Sequence, residues 1–241
     1  MISLRNASRH TCGGTILSKD YVLTAAHCVC VNSANVSRLT IQYGLLEINT
    51  EDENSIQVQE IICNQGYDPS AYYIYDIAIL KLEEAIPKEY VYPTKLAEPD
   101  FNTNETLDGM VIGWGRNATN AYLPTILQKV DVKIYSNTIC NAAHGGVVDL
   151  AHHICSGVSE NGKGSCQGDS GGPLLYGDIQ VGVVSWGTSG NCGISNETHP
   201  KVLARVSSYN EWIKETAKLS STTIQVSIPL IWFILTLYFI K

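Results

Sequence analysis

The chain has no internal repeat of short period and no low-complexity tract, which excludes solenoid and array architectures and leaves a globular reading. It also lacks a surplus of positive charge: 16 Lys and Arg stand against 23 Asp and Glu, for a net charge of -7. That balance argues against nucleic acid as a partner. The adjacent pair His152-His153 forms no recognised metal-site motif, so no metal site is read there, and no cofactor is expected. What the chain does have is eight cysteines within an ordinary mixture of 44% hydrophobic and 16% charged residues. A cytosolic protein rarely spends cysteine this way, whereas a secreted or lumenal domain uses it for a disulfide framework. Asn6, Asn35, Asn104, Asn117 and Asn196 each open an Asn-X-Ser/Thr acceptor sequence, as expected of a glycoprotein that traverses the secretory pathway.

Short apolar or alternating runs at 39–43, 77–82, 110–114, 130–134 and 181–186 are separated by Gly, Asn, Asp and Pro. Runs of this length and spacing indicate an all-β barrel or sandwich. Within that frame, Gly168-Asp169-Ser170-Gly171-Gly172-Pro173 carries the chemistry. It sets a serine among glycines that let backbone amides crowd around its hydroxyl. A serine hydroxyl is a weak nucleophile until a base takes its proton and a third group orients that base. His27, in Thr24-Ala25-Ala26-His27-Cys28, and Asp76, at the head of the apolar run 77–82, supply candidates for both. Taken singly, each has a blander reading, a packed core histidine and a capping or turn aspartate.

These segments, with Cys12-Gly13-Gly14-Thr15-Ile16-Leu17, Gly113-Trp114-Gly115 and Ser185-Trp186-Gly187, resemble the trypsin/chymotrypsin-like serine proteases in content and order over residues 2–217. The resemblance implies two antiparallel six-stranded β-barrels, a short C-terminal helix, and a hydrophobic tail beyond them. The protease domain would cover 1–219, with a first barrel at 1–96, a crossing segment at 97–107, a second barrel at 108–206 and a helix at 207–218 that packs Trp212 and Ile213 inward. Ser170 would attack the peptide carbonyl, His27 would act as base and then acid, and Asp76 would hold the imidazole tautomer. The amides of Gly168 and Ser170 would form the oxyanion hole. Ser185, Trp186 and Gly187 would offer an edge strand to an extended protein or peptide substrate. Protein protease inhibitors are expected partners on the same ground.

Eight cysteines allow 105 pairings, so the pairing rests on the resemblance. It implies Cys12–Cys28, Cys140–Cys155 and Cys166–Cys192, and leaves Cys30 and Cys63 for a fourth bridge across the first barrel. Tyr67, Tyr72, Tyr73 and Tyr75 read as a packed loop at the cleft rim, and His10, His144 and His199 have no recognisable partner.

Two departures accompany the likeness. Residues 1–5 are Met-Ile-Ser-Leu-Arg, with no leader and no Ile-Val-Gly-Gly start ahead of Cys12. In the family a new α-amino group pairs with the acid before the nucleophile, here Asp169. A protease-like binding module, or an incomplete chain that cannot be activated, is therefore the alternative reading. Residues 224–240 carry no charge and are expected to tether the domain to a membrane, as a short span or as the tail of a lipid-anchor signal. Specificity is the last expectation. The residue six before the nucleophile is Gly164, at the base of the primary pocket, so a preference for Lys or Arg is not expected. Lys201 follows Pro200 where glycine is usual. Its ammonium would either face the pocket and select Asp or Glu, or run to solvent and leave a neutral pocket.

Overall fold

The structure is a computed structural model that describes residues 1–30, 35–48, 53–158, 163–187, 192 and 194–219. Strands β1 (Ile2–Asn6), β2 (Arg9–Ile16), β3 (Tyr21–Thr24), β4 (Leu39–Tyr43), β5 (Ser55–Cys63) and β6 (Ala78–Leu82) close into an antiparallel barrel in the order β1-β2-β3-β6-β5-β4. Alternation does the folding: Ile56 and Val58 of β5 are buried while the residues between and beyond them are less so, and they meet Ile2, Leu4, Ile41 and Leu80 inside. A two-residue strand, β7 (Lys95–Leu96), then leaves the first barrel. β8 (Leu107–Gly113), β9 (Gln128–Tyr135), β10 (His153–Gly157), β11 (Pro173–Tyr176), β12 (Ile179–Gly187) and β13 (Lys201–Arg205) form the second sheet, closed by the β11–β12 pairing. β7 adds to it as a seventh strand, parallel to β12. It lies within the span expected for the first barrel but pairs with the second.

Two helices complete the fold. α1 (Asn137–Ala143) is capped by Ser136, whose side chain accepts from Ile139 N–H, the usual way a serine satisfies an orphan donor. No helix was expected there. α2 (Val206–Thr216) stands where a helix was expected at 207–218. Its Ile213 is fully buried and Trp212 packs partly against the same core.

That core runs through both barrels. Leu23, Ile77 and Ile79 of the first lie in one cluster with Val111, Leu174 and Val183 of the second. Thr15 Oγ1 donates to Gln180 Oε1 across the junction at 2.8 Å, fully out of solvent. The four disulfides are Cys12–Cys28, Cys30–Cys63, Cys140–Cys155 and Cys166–Cys192. Residues 224–240 lie outside the described residues. Among those described, no helix is long and apolar enough to cross a membrane.

Candidate active site

β3 and β6 pair with Thr24 opposite Ala78, so the segments just beyond that end of the ladder emerge side by side. One carries His27, in a single helical turn at Ala26–Cys28 that the Cys12–Cys28 bridge ties to β2. The other carries Asp76, whose residue is wholly buried. The carboxylate accepts the His27 backbone N–H at Oδ1 and bonds Nδ1 at Oδ2, both at 2.7 Å. Ser185, expected only as part of a substrate edge, also donates its hydroxyl to Oδ2. A carboxylate on Nδ1 places the proton there and leaves Nε2 with its lone pair, the tautomer a general base needs. His27 keeps 22% of its side chain exposed.

Ser170 approaches from the second barrel. Its carbonyl accepts from Gly13 N–H at 2.7 Å, and the next residue, Gly171, donates to Val184 O at 2.8 Å. Gly171 has a positive φ of 78°, and a Cβ there would press on Thr24 and the Gly13 carbonyl and reach Ala25 N at 3.1 Å. The serine is thus seated where β2, the end of β3 and β12 meet, with His27 three residues past Thr24 and Ser185 next to Val184. Among the described residues, neither Gly168 N–H nor Ser170 N–H has an acceptor in the hydrogen-bond network. Gly168 has φ 99°, and a Cβ on it would meet Leu123 Cδ2 at 2.8 Å and Gly115 Cα at 3.0 Å.

Between them, Asp169 is 8% exposed and accepts Gly115 N–H and Cys166 N–H at 2.8 Å each. Burial pushes its pKa up, against the two amide bonds that pull it down. It borders a cavity of about 220 Å³ that Gly113 and Gly115 also line. A Cβ at either glycine would collide with the carboxylate.

On the other flank, Gly187 pairs with Lys201 across β12 and β13. The space of a Gly187 Cβ lies 2.6 Å from Lys201 Cδ and 3.1 Å from Nζ. Lys201 is 8% exposed, and desolvation lowers its pKa. Gly164 (φ 130°) abuts Ser195. Beyond Gly187, Trp186 is surrounded by the rings of His144 at 5.4 Å, Tyr72 at 6.1 Å and His153 at 6.4 Å. Tyr73 meets His27 edge-on at 6.0 Å.

Three neighbours of the site carry no signal in sequence. His10 binds Ser3 Oγ through Nδ1 at 2.7 Å and Gly168 O through Nε2 at 3.0 Å, and its partner Gly168 is 158 residues away. His144 and His153 reach Trp186 only through the barrel's closure. The ligand atoms of Cys12, His27 and Cys28 gather within 4.8 Å, but both sulfurs are spent in one disulfide and are not thiolate ligands.

A family model described as Trypsin matches residues 1–213. Chymotrypsin-2 of Vespa crabro is 38% identical over 216 residues, covering 89% of this chain and 92% of that protein. Trypsin 5G1 of Aedes aegypti is 36% identical, over 88% of this chain and 77% of that one. Among solved structures, neuropsin, a serine protease expressed in the limbic system of mouse brain, superposes with a TM-score of 0.76 at 29% identity, over 90% of this chain and 93% of its own.

Proposed function

The chain belongs to the trypsin family of serine-type endopeptidases, and from that premise we propose that it cleaves peptide bonds through an acyl-enzyme on Ser170. The observation that carries this reading is the double hold of Asp76 on His27, through the backbone N–H and Nδ1 together. It fixes ring position and tautomer before substrate arrives. His27 Nε2 takes the Ser170 proton as Oγ attacks, then delivers it to the leaving amine, and repeats the exchange with water to release the acyl group. Gly168 and Ser170 N–H bind the oxyanion, where loss of one donor typically costs about 100- to 1000-fold in rate. The acyl side of an extended substrate adds to the edge of β12 at 185–187, as would the binding loop of a protein inhibitor. The cavity beside Asp169 takes a cation, and the family's device for this is an α-amino group freed by cleavage.

The enzyme is not trypsin-like in primary specificity, because Gly164 gives the pocket base no carboxylate. We assign it a preference for Asp or Glu before the cut. The low exposure of Lys201 and the closeness of its Nζ to the place of a Gly187 Cβ support a lysine directed inward towards the pocket over the solvent-directed alternative. Lys and Arg are then rejected by like charge.

The test is covalent. The activated enzyme should react with a fluorophosphonate probe, and Ser170→Ala should abolish labelling; equal labelling of both would leave the protease-like binding module as the better reading. A positional-scanning peptide library reads the pocket, and a preference for large apolar residues there would remove the acidic assignment. The disulfides accord with an extracellular site of action. Tethering through 224–240 predicts that deleting 224–241 releases the enzyme into the medium, and equal release of the intact chain would refute it.

A further inference from the structure

A second cavity, of about 640 Å³, opens where β1 and β2 face the segment before β9. It is lined by Arg5, Arg9 and Arg116, three of the five arginines in a chain whose net charge is -7. No Asp or Glu is among its described lining residues. Glu47 stands at its margin, where its carboxylate accepts from Thr125 Oγ1 at 3.1 Å. Arg5 lies buried at the floor, donating to Ser55 Oγ at 2.6 Å and to Ser8 O at 3.1 Å. Arg9 is exposed, and Arg116 is half-buried with an Nε that is out of solvent and has no acceptor among the described residues. His10 also lines the cavity, but burial holds its pKa down, so the cations offered at the cavity wall are Arg9 and Arg116.

Three contacts join this cavity to the turn that carries Ser170. His10 Nε2 bonds Gly168 O, Arg116 N–H donates to Gln167 O at 2.9 Å, and Leu123 Cδ2 stands over Gly168. If the acyl half of the substrate lies along 185–187, the leaving half departs past Gly168 on the opposite flank, into this cavity. We infer that the cavity is a specificity site for the leaving-group side of the cut, and that Arg9 and Arg116 select Asp or Glu among the first three residues after the scissile bond. The inference rests on the catalytic reading of Ser170 and adds a second, independent source of selectivity. Guanidinium groups suit it, since they are always charged and bind carboxylates through paired N–H groups. Exposed Tyr122 and Leu123 supply an apolar wall.

The experiment uses peptide pairs that differ only by Glu or Gln at one of those three positions. Their kcat/KM is measured with the active enzyme and their equilibrium binding with Ser170→Ala. Glu should be favoured over Gln about tenfold at one position at least, the scale of one charge-assisted hydrogen bond. The ratio should fall towards one in the Arg9→Gln/Arg116→Gln variant and at high salt. Hydrolysis of a chromogenic amide with no residue after the cut should not change in the Arg9→Gln single variant. Arg9→Glu should favour Lys over Glu. A ratio near one in wild type, or a preference untouched by both substitutions, overturns the inference. So does arginine-dependent binding of a heparin oligosaccharide with no Glu/Gln preference, which would mark a polyanion surface. Failure of the catalytic reading shows separately, as absent probe labelling and turnover, while the binding ratio of Ser170→Ala still decides the cavity.

Discussion

Asp76 collects three donors, the backbone N–H and Nδ1 of His27 and the hydroxyl of Ser185, in a position with no solvent access. A buried carboxylate is tolerable only when its lone pairs are met this fully. Asp76→Asn should keep the shape while presenting an N–H or a weaker acceptor to Nδ1, which disturbs the tautomer; kcat should fall about 10⁴-fold with KM little changed. Ser185→Ala removes one donor and leaves His27 held twice, by its backbone N–H and by Nδ1, so a loss of about tenfold is expected, the worth of one hydrogen bond to a charged group. Steady-state kinetics on one peptide substrate separates the two, and similar losses for both would mean that Ser185 positions His27 as strongly as Asp76 does. Lys201 carries the proposed specificity of the primary pocket. Lys201→Met keeps most of the stem that packs on Gly187 but removes the charge. Preference in a peptide library should move from Asp and Glu to large apolar residues.

At the scale of strands and helices, the sequence was most legible where apolar residues alternate and least where polar residues pair through backbone alone. The run at 39–43 coincides with β4, but β9 begins at Gln128 and not at 130, and β8 at Leu107 and not at 110. Gln128, Lys129 and Asp108 join the ladder with exposed or half-exposed side chains and leave no hydrophobic trace. α1 escaped notice because seven residues with a single buried side chain, Cys140, show no helical period. Tyr72, Tyr73 and Tyr75 were legible as a rim loop, but their positive φ values of 53–55° were not, since tyrosine gives no hint of that conformation. Nor did His153 announce that β10 would bury it to 1% exposure beneath Trp186. Desolvation is the largest influence on its imidazole and lowers its pKa; His152 adds to this, while the Tyr73 carbonyl, Asp149 and Asp76 oppose it. Arg205, on the adjoining β13, donates to its carbonyl. The sign follows: the unfolded ring takes a proton near pH ~6.5 that the folded ring refuses, so this contribution to stability is intact above that pH and lost progressively below it. His153→Leu should flatten the fall of melting temperature between about pH 6.5 and pH 5. Parallel curves for the two proteins would contradict the assignment.

Across the whole molecule, the candidate site draws on two barrels that share one core. His27 and Asp76 belong to the first and Ser170 to the second, and Leu23, Ile77 and Ile79 pack in the same cluster as Val111, Leu174 and Val183. Apolar packing alone would tolerate small slips between the barrels, whereas a buried polar contact sets register at a defined point. Thr15 Oγ1 to Gln180 Oε1 is such a contact. Gln180 is fully buried, its backbone carbonyl takes Ala97 N–H at 3.0 Å, and its side-chain amide donates to Gly182 O at 3.2 Å. Thr15→Val keeps the side-chain volume and strands Gln180 Oε1 without its donor, so stability should fall by about 1–3 kcal/mol. Removing both partners in Thr15→Val/Gln180→Leu should recover part of that loss, because no unpaired acceptor remains. Denaturant unfolding followed by tryptophan fluorescence and far-UV circular dichroism measures the cycle, and the two signals should move together if the barrels unfold as one unit. The double variant should also lose activity relative to its stability, since a junction made wholly apolar no longer fixes how the segment bearing Ser170 lies against the first barrel. Full activity in a double variant of wild-type stability would show that the shared apolar core sets the register without the Thr15–Gln180 bond.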